Sequence, residues 1–490
     1  MSDTIDPRLD EKKSDHGFFG QPVALSNLFG VEMWERFSFY GMQGILIYYL
    51  YYSVSDGGLG ISQASATSIV GAYGGTVYLS TILGAWIADR LLGSERTLFY
   101  SALLIMLGHI ALAVLPGLGG VGVGLVCVAF GSGGLKANAT SLVGDLYEEN
   151  DDRRDAGFSI FYMGINLGGL VGPLLTGWAQ NAIGFHAGFA LAAIGMALGL
   201  TQYTLGRKRL RGIGATAPNP LPQNQRARWI AIGAAAVALV AVLSLTGAIS
   251  TSNMSNIVIG LTIVATIGYF AVILTSRRIT AVERSRVYAF IPMFIASAVF
   301  WSLFQQQFTT IAVYADQRLN RNVLGWDFPP SWVQSLNPVF IIIFAGVFAA
   351  AWTKLGPRQP STPIKFAAGT TIMGIAFLAF IPMSGGGTNS APVLGLAGIL
   401  LLFTFAELLL SPVGLSLSTK LAPKAFHTQM VALFFLSVAL GTAMAGTLAS
   451  YYNQDNEVPY FTAIGLGSIA VGITLAIAAP KIKQLMKGVH

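Results

Sequence analysis

Along the chain, polar positions gather in short clusters between long apolar runs, and the two kinds do not alternate. A helix crossing the hydrocarbon core of a bilayer needs about 20 mostly apolar residues. Fourteen runs satisfy that length: 22–52, 66–92, 96–115, 120–146, 156–181, 186–206, 229–249, 256–276, 285–315, 331–353, 362–383, 391–420, 428–450 and 459–481. Continuous runs argue against a membrane β-barrel, whose strands alternate with a period of two. Several runs are longer than a bilayer requires, which predicts tilt or extension into water. The pattern thus predicts an all-α polytopic membrane protein.

The positive charges support this layout. Of 29 Lys and Arg, only Arg36 and Lys136 fall deep inside spans, and only Arg318 and Arg321 fall in loops on the side opposite the N-terminus. The remainder, including Arg90, Arg96, Arg153, Arg207, Arg277, Lys354, Lys424 and Lys481, lie on the N-terminal side. By the positive-inside rule both termini are expected in the cytoplasm, which requires an even number of spans. The first 20 residues lack the apolar core of a cleavable signal, so insertion is expected to use the first span into a cell (inner or plasma) membrane.

Gly206 to Gln225 is rich in Pro and basic residues and reads as an exposed linker. The two spans after it carry no charge in their apolar runs. The expected organisation is a tail (1–21), a six-helix bundle (22–206), a linker (207–228), two inserted helices (229–276), a second six-helix bundle (277–481) and a tail (482–490). Two six-helix halves around a central site is the major-facilitator plan.

Composition changes this picture little. The chain is 53% hydrophobic and 10% charged, whereas soluble domains carry about 25% charged residues. The 57 glycines suit helices packed closely in lipid. A net charge of +7 distributed by topology gives no reason to expect nucleic acid. Cys127 is the single cysteine, so no intramolecular disulfide forms. No metal-ligand cluster, cofactor motif or positioned nucleophile is legible, and the five histidines are scattered. An enzyme is not expected.

The candidate chemistry is inside the spans. Glu32, Glu35, Arg36, Tyr40 and Gln43 follow helical spacing on the first span. A lone charge at mid-bilayer costs roughly 3 kcal/mol or more, so such a cluster must pair or face a wet cavity. One guanidinium cannot neutralise two carboxylates, which leaves room for a proton or a second cation. Lys136 stands about 15 residues, some 22 Å, into the fourth span and is the candidate cation. Making or breaking its pair with an acid changes that acid's proton affinity. Glu407 is the one carboxylate deep in the second half, with Ser411 and Pro412 one turn on. Asn166, Asn337 and Gln305 offer amides able to donate and accept. Tyr40, Tyr78, Tyr162 and Trp301 are candidate walls.

These segments together resemble the proton-dependent oligopeptide transporter family. Glu32-Met33-Trp34-Glu35-Arg36-Phe37-Ser38-Phe39-Tyr40-Gly41 is similar to its first-span motif. Gly133-Gly134-Leu135-Lys136-Ala137-Asn138 through Asp145, followed by Phe158 to Gly169, is similar to its second. Gly84 to Arg90 with Gly93 and Arg96 resembles the general major-facilitator loop, and Glu407-x-x-x-Ser411-Pro412 is in register. The resemblance implies proton-coupled import of di- and tripeptides by alternating access, with the proton as the coupling ion and no other cofactor. It implies that Glu32, Glu35, Arg36 and Lys136 handle the proton and the peptide carboxylate. Glu407 would hold the ammonium, Asn166 and Asn337 the peptide backbone, and Tyr40 and Tyr78 would line the pocket with Trp301, Gln305 and Ser411. The protein is expected to act as a monomer. There are departures: Phe39 replaces a Tyr, Phe434 a common Trp, and Gln43 and Gln305 stand where many members carry an Arg and a Glu. These leave open a transporter of another small solute, such as nitrate, a drug or an amino-acid derivative. A non-transporting membrane peptide sensor is the other alternative, for which no loop is long enough to supply an output domain.

Overall fold

The computed structural model describes residues 17–148, 151 and 153–489; most of the expected N-terminal tail lies outside them. Fifteen helices follow in order among the described residues: α1 Val23–Tyr51, α2 Gln63–Ile87, α3 Ser94–Val114, α4 Gly117–Asp145, α5 Arg154–Ala182, α6 Phe185–Gly206, α7 Gln223–Leu245, α8 Met254–Thr275, α9 Ala281–Phe304, α10 Thr310–Gln317, α11 Leu336–Leu355, α12 Thr362–Leu378, α13 Val393–Lys420, α14 His427–Ala449 and α15 Val458–Leu485. Twelve stretches are long and apolar enough to cross a membrane. Helices α1 (29 residues) and α2 (25 residues) match them in length and carry more polar positions. All fourteen expected runs are therefore helical. The ninth is not one helix. It breaks at a 3-10 turn, Gln305–Phe308, before α10. Prolines 173, 292, 412 and 480 sit inside helices that continue past them, as membrane helices tolerate.

The chain forms two compact units. The first takes the residues up to Ile45 and Ser80–Ala248. Within it α3 packs on α4 and α6, and α5 on α6. Close helix approach depends on missing side chains. A Cβ on Gly168 would stand 2.3 Å from the Met33 carbonyl, and one on Gly84 2.4 Å from the Gly134 Cα. The segment after α6 is exposed at most positions, yet it is tied down. Asn219 N donates to the Asp89 carbonyl at 3.0 Å and Leu221 N to the Arg90 carbonyl at 2.8 Å. Asn219 Nδ2 donates to Asp89 Oδ1 at 2.8 Å, and Leu210 and Leu221 are buried. Gly93, at φ +83°, meets this segment where a side chain would strike the Gly214 carbonyl. Helix α7 buries no residue; Trp229 touches Trp86 at 5.0 Å between ring centroids.

The second unit takes Leu46–Leu79 and the chain from Ile249 onward. Here α9 packs on α12, α14 and α15, α12 on α13 and α15, and α11 on α13. Of the two inserted helices, α8 is the anchored one. It buries Ser255, Val258, Thr262 and Thr266, one stripe at helical spacing, and packs on α14. Arg318, expected in a loop on the side opposite the N-terminus, is 2% exposed. Its Nη2 donates to Glu457 Oε1 at 2.9 Å and to the Met383 carbonyl at 3.3 Å. Tyr452 OH donates to the other oxygen of Glu457 at 3.0 Å. This buried pair joins three connections at one end of the unit. Nearby, Tyr51 and Tyr52 both donate to the Asp316 carboxylate, and Tyr48 OH donates to the Ala312 carbonyl at 3.1 Å.

Candidate functional site

In the first unit, α1 turns Glu32, Glu35 and Arg36 onto one buried face, each 2% exposed or less. Arg36 Nε lies 2.8 Å from Glu32 Oε1 and 2.9 Å from Glu35 Oε2. A single guanidinium nitrogen thus stands between two carboxylates. The second oxygen of Glu32 and Nη2 of Arg36 are buried with no hydrogen-bond partner. Unpaired buried polar atoms of charged groups cost more than neutral ones, so the cluster is poised to take a further proton or ligand atom. Arg36 also lies 5.5 Å from the centre of the Phe39 ring, so the residue that departs from the motif is in contact with the cluster. The sequence expectation held only the acids and bases together. The structure adds Ser132 of α4, whose Oγ donates to Glu35 Oε1 at 2.8 Å.

Lys136 follows Ser132 by one turn on the same helix. It stands within electrostatic reach of Arg36, Glu32 and Glu35. The glycines around it explain how it gets there. Ser80 Oγ of α2 donates to the Ala129 carbonyl of α4 at 2.7 Å, and Asn138 Nδ2 donates to the Gly84 carbonyl at 3.3 Å. The first needs the bare backbone of Gly133, where a Cβ would strike Ser80, and the second that of Gly84, where a Cβ would strike the Gly134 Cα. Tyr40 is half-buried and within electrostatic reach of Arg36. Asn166 on α5 is 6% exposed, and its Nδ2 donates to the Tyr162 carbonyl one turn back at 2.9 Å. Tyr162 itself is 41% exposed. Gln43 is buried, and its Oε1 has no partner.

In the second unit, two residues that the sequence left apart are joined. Asn337 Nδ2 of α11 donates to Glu407 Oε2 and to Thr404 Oγ1, both at 3.1 Å on α13. Glu407 is therefore aimed by an amide from another helix, and its other oxygen remains to accept from a ligand. Ser411 lies one turn beyond it and is half-buried. Trp301 lies one turn before the break between α9 and α10 and Gln305 begins it, 7% exposed each. The Trp301 indole nitrogen is buried and unpaired, and its ring packs edge-on against Phe300 and Phe304. Gln306, not Gln305, is the bonded member of the glutamine run. Its Oε1 accepts from Tyr460 OH at 2.6 Å, and that hydroxyl pairs with Thr310 at 2.8 Å. Tyr460 thereby ties the break itself to the start of α10. Tyr78, on α2, is half-buried. No cluster of three or more His, Cys, Asp or Glu suited to a metal ion occurs among the described residues.

Comparison with known proteins identifies the type. Residues 95–467 match the POT family. The chain is 42% identical to a di-/tripeptide transporter of Lactococcus lactis subsp. cremoris, covering 98% of this chain and 99% of that one. It is 35% identical to a peptide transporter of Yersinia enterocolitica, covering 94% of each. A crystal structure of a peptide transporter POT in complex with sulfate superposes with a TM-score of 0.93 at 46% identity, covering 99% of this chain and all of that one. A POT family transporter in complex with 5-aminolevulinic acid superposes with a TM-score of 0.91 at 40% identity, covering 96% of this chain and 99% of that one. A full-length match to those structures, over fourteen membrane-length helices carrying the Glu32–Glu35–Arg36 cluster, makes the chain a multi-pass membrane protein of the POT family.

Proposed function

We propose that the protein is a symporter that imports di- and tripeptides with protons by alternating access. The observation that carries the reading is the Arg36 nitrogen held between two buried carboxylates, 2.8 and 2.9 Å away, with Lys136 in electrostatic reach. Such a cluster has one acid in excess of its guanidinium. In the proposed cycle the proton settles on that excess acid, and Lys136, released from it, joins Arg36 in receiving the peptide carboxylate. Glu407, aimed by Asn337, receives the ammonium, while Asn166, Tyr40, Tyr78, Trp301, Gln305 and Ser411 contact the rest. The names of the relatives support the cargo, and the six-two-six helix order supports the mechanism. In this reading both termini lie in the cytoplasm and the protein acts as a monomer in a plasma or inner membrane; the concentration of Lys and Arg on the N-terminal side supports the orientation.

A neutral zwitterion carried with one proton moves one net charge. That is worth roughly 2.3 kcal/mol per 100 mV, or roughly 40- to 50-fold accumulation. The test is uptake of labelled dipeptide into proteoliposomes under an imposed pH gradient. Glu35→Gln should abolish gradient-driven accumulation and retain peptide exchange between equal pH, whereas Lys136→Ala, which also removes a contact to the peptide carboxylate, should abolish accumulation and weaken exchange. Normal accumulation in either variant overturns the mechanism.

A second reading, transport of an amino-acid derivative, is favoured by Gln43 and Gln305, both buried and uncharged. Competition separates the two. Strong competition by dialanine supports peptide cargo, and none supports the derivative.

A further inference from the structure

A short hairpin joins α10 to α11. Strand β1, Asn322–Val323, pairs antiparallel with β2, Trp326–Asp327, with Asn322 opposite Asp327 and Val323 opposite Trp326. Side chains alternate between the faces of a strand. One face therefore carries the Val323–Trp326 pair and the other the Asn322–Asp327 pair. The polar face is satisfied within the hairpin: Asn322 Nδ2 donates to Asp327 Oδ1 at 2.9 Å, and Asn322 Oδ1 accepts from Gly325 N at 3.1 Å. The apolar face is bare. Val323 is 47% exposed, Trp326 50%, and Leu324 at the tip 102%.

Two further observations say what meets that face. Leu324 has φ +52°, in the left-handed region that hairpin tips normally give to Asn, Asp or Gly. A branched apolar side chain there is strained, and in water its exposure offers no compensation. The Trp326 ring lies 5.1 Å from that of Trp332. Trp332 stands in the first turn of Pro330–Leu355, a stretch long and apolar enough to cross a membrane. Within α11 only Asn337 and Ile341 are buried, so most of this helix is turned to lipid. The apolar hairpin face thus continues a lipid-facing helix at its end, the level at which bilayer meets water and Trp is favoured. The hairpin base is fixed: Arg321 Nη1 donates to the Phe328 carbonyl at 3.0 Å, and its Nη2 lies 3.8 Å from Asp316.

We propose that the 322–327 hairpin is a membrane-interface anchor. Val323, Leu324 and Trp326 enter the boundary between headgroups and acyl chains, and Asn322 and Asp327 face water. The occupant of the apolar face is the bilayer surface, not a second copy of the chain or a soluble partner.

The test uses the full chain carrying Cys127→Ala, with single nitroxide-labelled cysteines, in phosphatidylcholine–phosphatidylglycerol vesicles. Leu324→Cys reports the tip, Asn322→Cys the polar face, and Asp56→Cys, in the exposed turn between α1 and α2, is the aqueous reference. Collision with oxygen, which partitions into lipid, is compared with collision with a water-soluble nickel chelate. For an interfacial anchor the oxygen-to-nickel ratio at 324 should be several-fold that at 56, with 322 reading like 56. Equal ratios at 324 and 56 overturn the proposal. So does a ratio at 322 as high as at 324, because the two faces then do not differ. Protection of 324 from both reagents also overturns it, because a protein then covers the tip.

Discussion

Replacing Glu407 by Gln isolates one charge. The amide keeps an oxygen that can accept from Asn337 Nδ2, 3.1 Å from the carboxylate in the native protein, so the link between α11 and α13 survives. What is lost is the negative charge offered to a ligand ammonium. Two unit charges about 4 Å apart at an effective dielectric of about 20 attract by about 4 kcal/mol. The ammonium gives up hydration to reach the site, and allowing about half for that leaves about 2 kcal/mol, in the lower part of the range found for desolvated charge pairs. That corresponds to roughly 30-fold in affinity. The assay is competition for peptide counterflow at equal pH, which needs no proton gradient. Dialanine and its N-acetyl form are compared on native protein and on Glu407→Gln. The native protein should prefer the free amine by about 30-fold, and the variant should bind the two forms within a few-fold of each other. If Glu407→Gln retains the full preference, the ammonium is held elsewhere and the role given to this residue is wrong. Equal weakening of both ligands refutes it too, because the substitution then acts on the pocket and not on the charge.

Other outcomes follow from the same contacts. Ser132→Ala removes the donor 2.8 Å from Glu35 and should reduce gradient-driven uptake more than counterflow, with Ser132→Thr restoring it. Arg318→Leu leaves Glu457 buried without its cation, which should cost about 3–5 kcal/mol; a midpoint of thermal unfolding unchanged from native refutes this. Gly84→Val should prevent α2 and α4 from meeting, because even a Cβ there falls 2.4 Å from the Gly134 Cα. Size-exclusion chromatography should show little monodisperse protein, whereas Gly233→Val on the open surface of α7 should elute like native.

The spans and the charge cluster of the first span were legible because both follow from expense. Twenty apolar residues in a row have little use outside a membrane, and three ionised groups on one span demand partners. Glu32, Glu35, Arg36 and Lys136 are accordingly found together. Partners that are not rare in spans stayed hidden. Ser132 and Thr404 resemble the many hydroxyls that cap their own helix carbonyls, and only the meeting of α1 with α4 and of α11 with α13 distinguishes them. Arg318 read as a loop residue from its position, yet its partner Glu457 lies far along the chain, and nothing local announces the pair. The break at Gln305–Phe308 escaped notice because its neighbours are apolar enough to continue one helix. The bond from Tyr460 to Gln306 that braces it is tertiary. The segment after α6 showed the composition of a free linker. Its backbone bonds to Asp89 and Arg90 carry no sequence signal, because any residue but proline donates equally well.

Helix α7 poses the opposite case, since it has almost nothing to hide. No residue of it is buried, and a single aromatic contact, Trp229 on Trp86, marks its near end. Its sequence is therefore read by lipid rather than by protein, and lipid distinguishes little beyond hydropathy and length. Substitutions among Ala, Val, Leu and Ile along it should pass unnoticed by selection, while the same exchanges at the glycines of α4 or α5 should not. In a survey of variants across the chain, α7 would appear as a stretch conserved in character and free in letter, the one span that evolution can rewrite without consulting its neighbours.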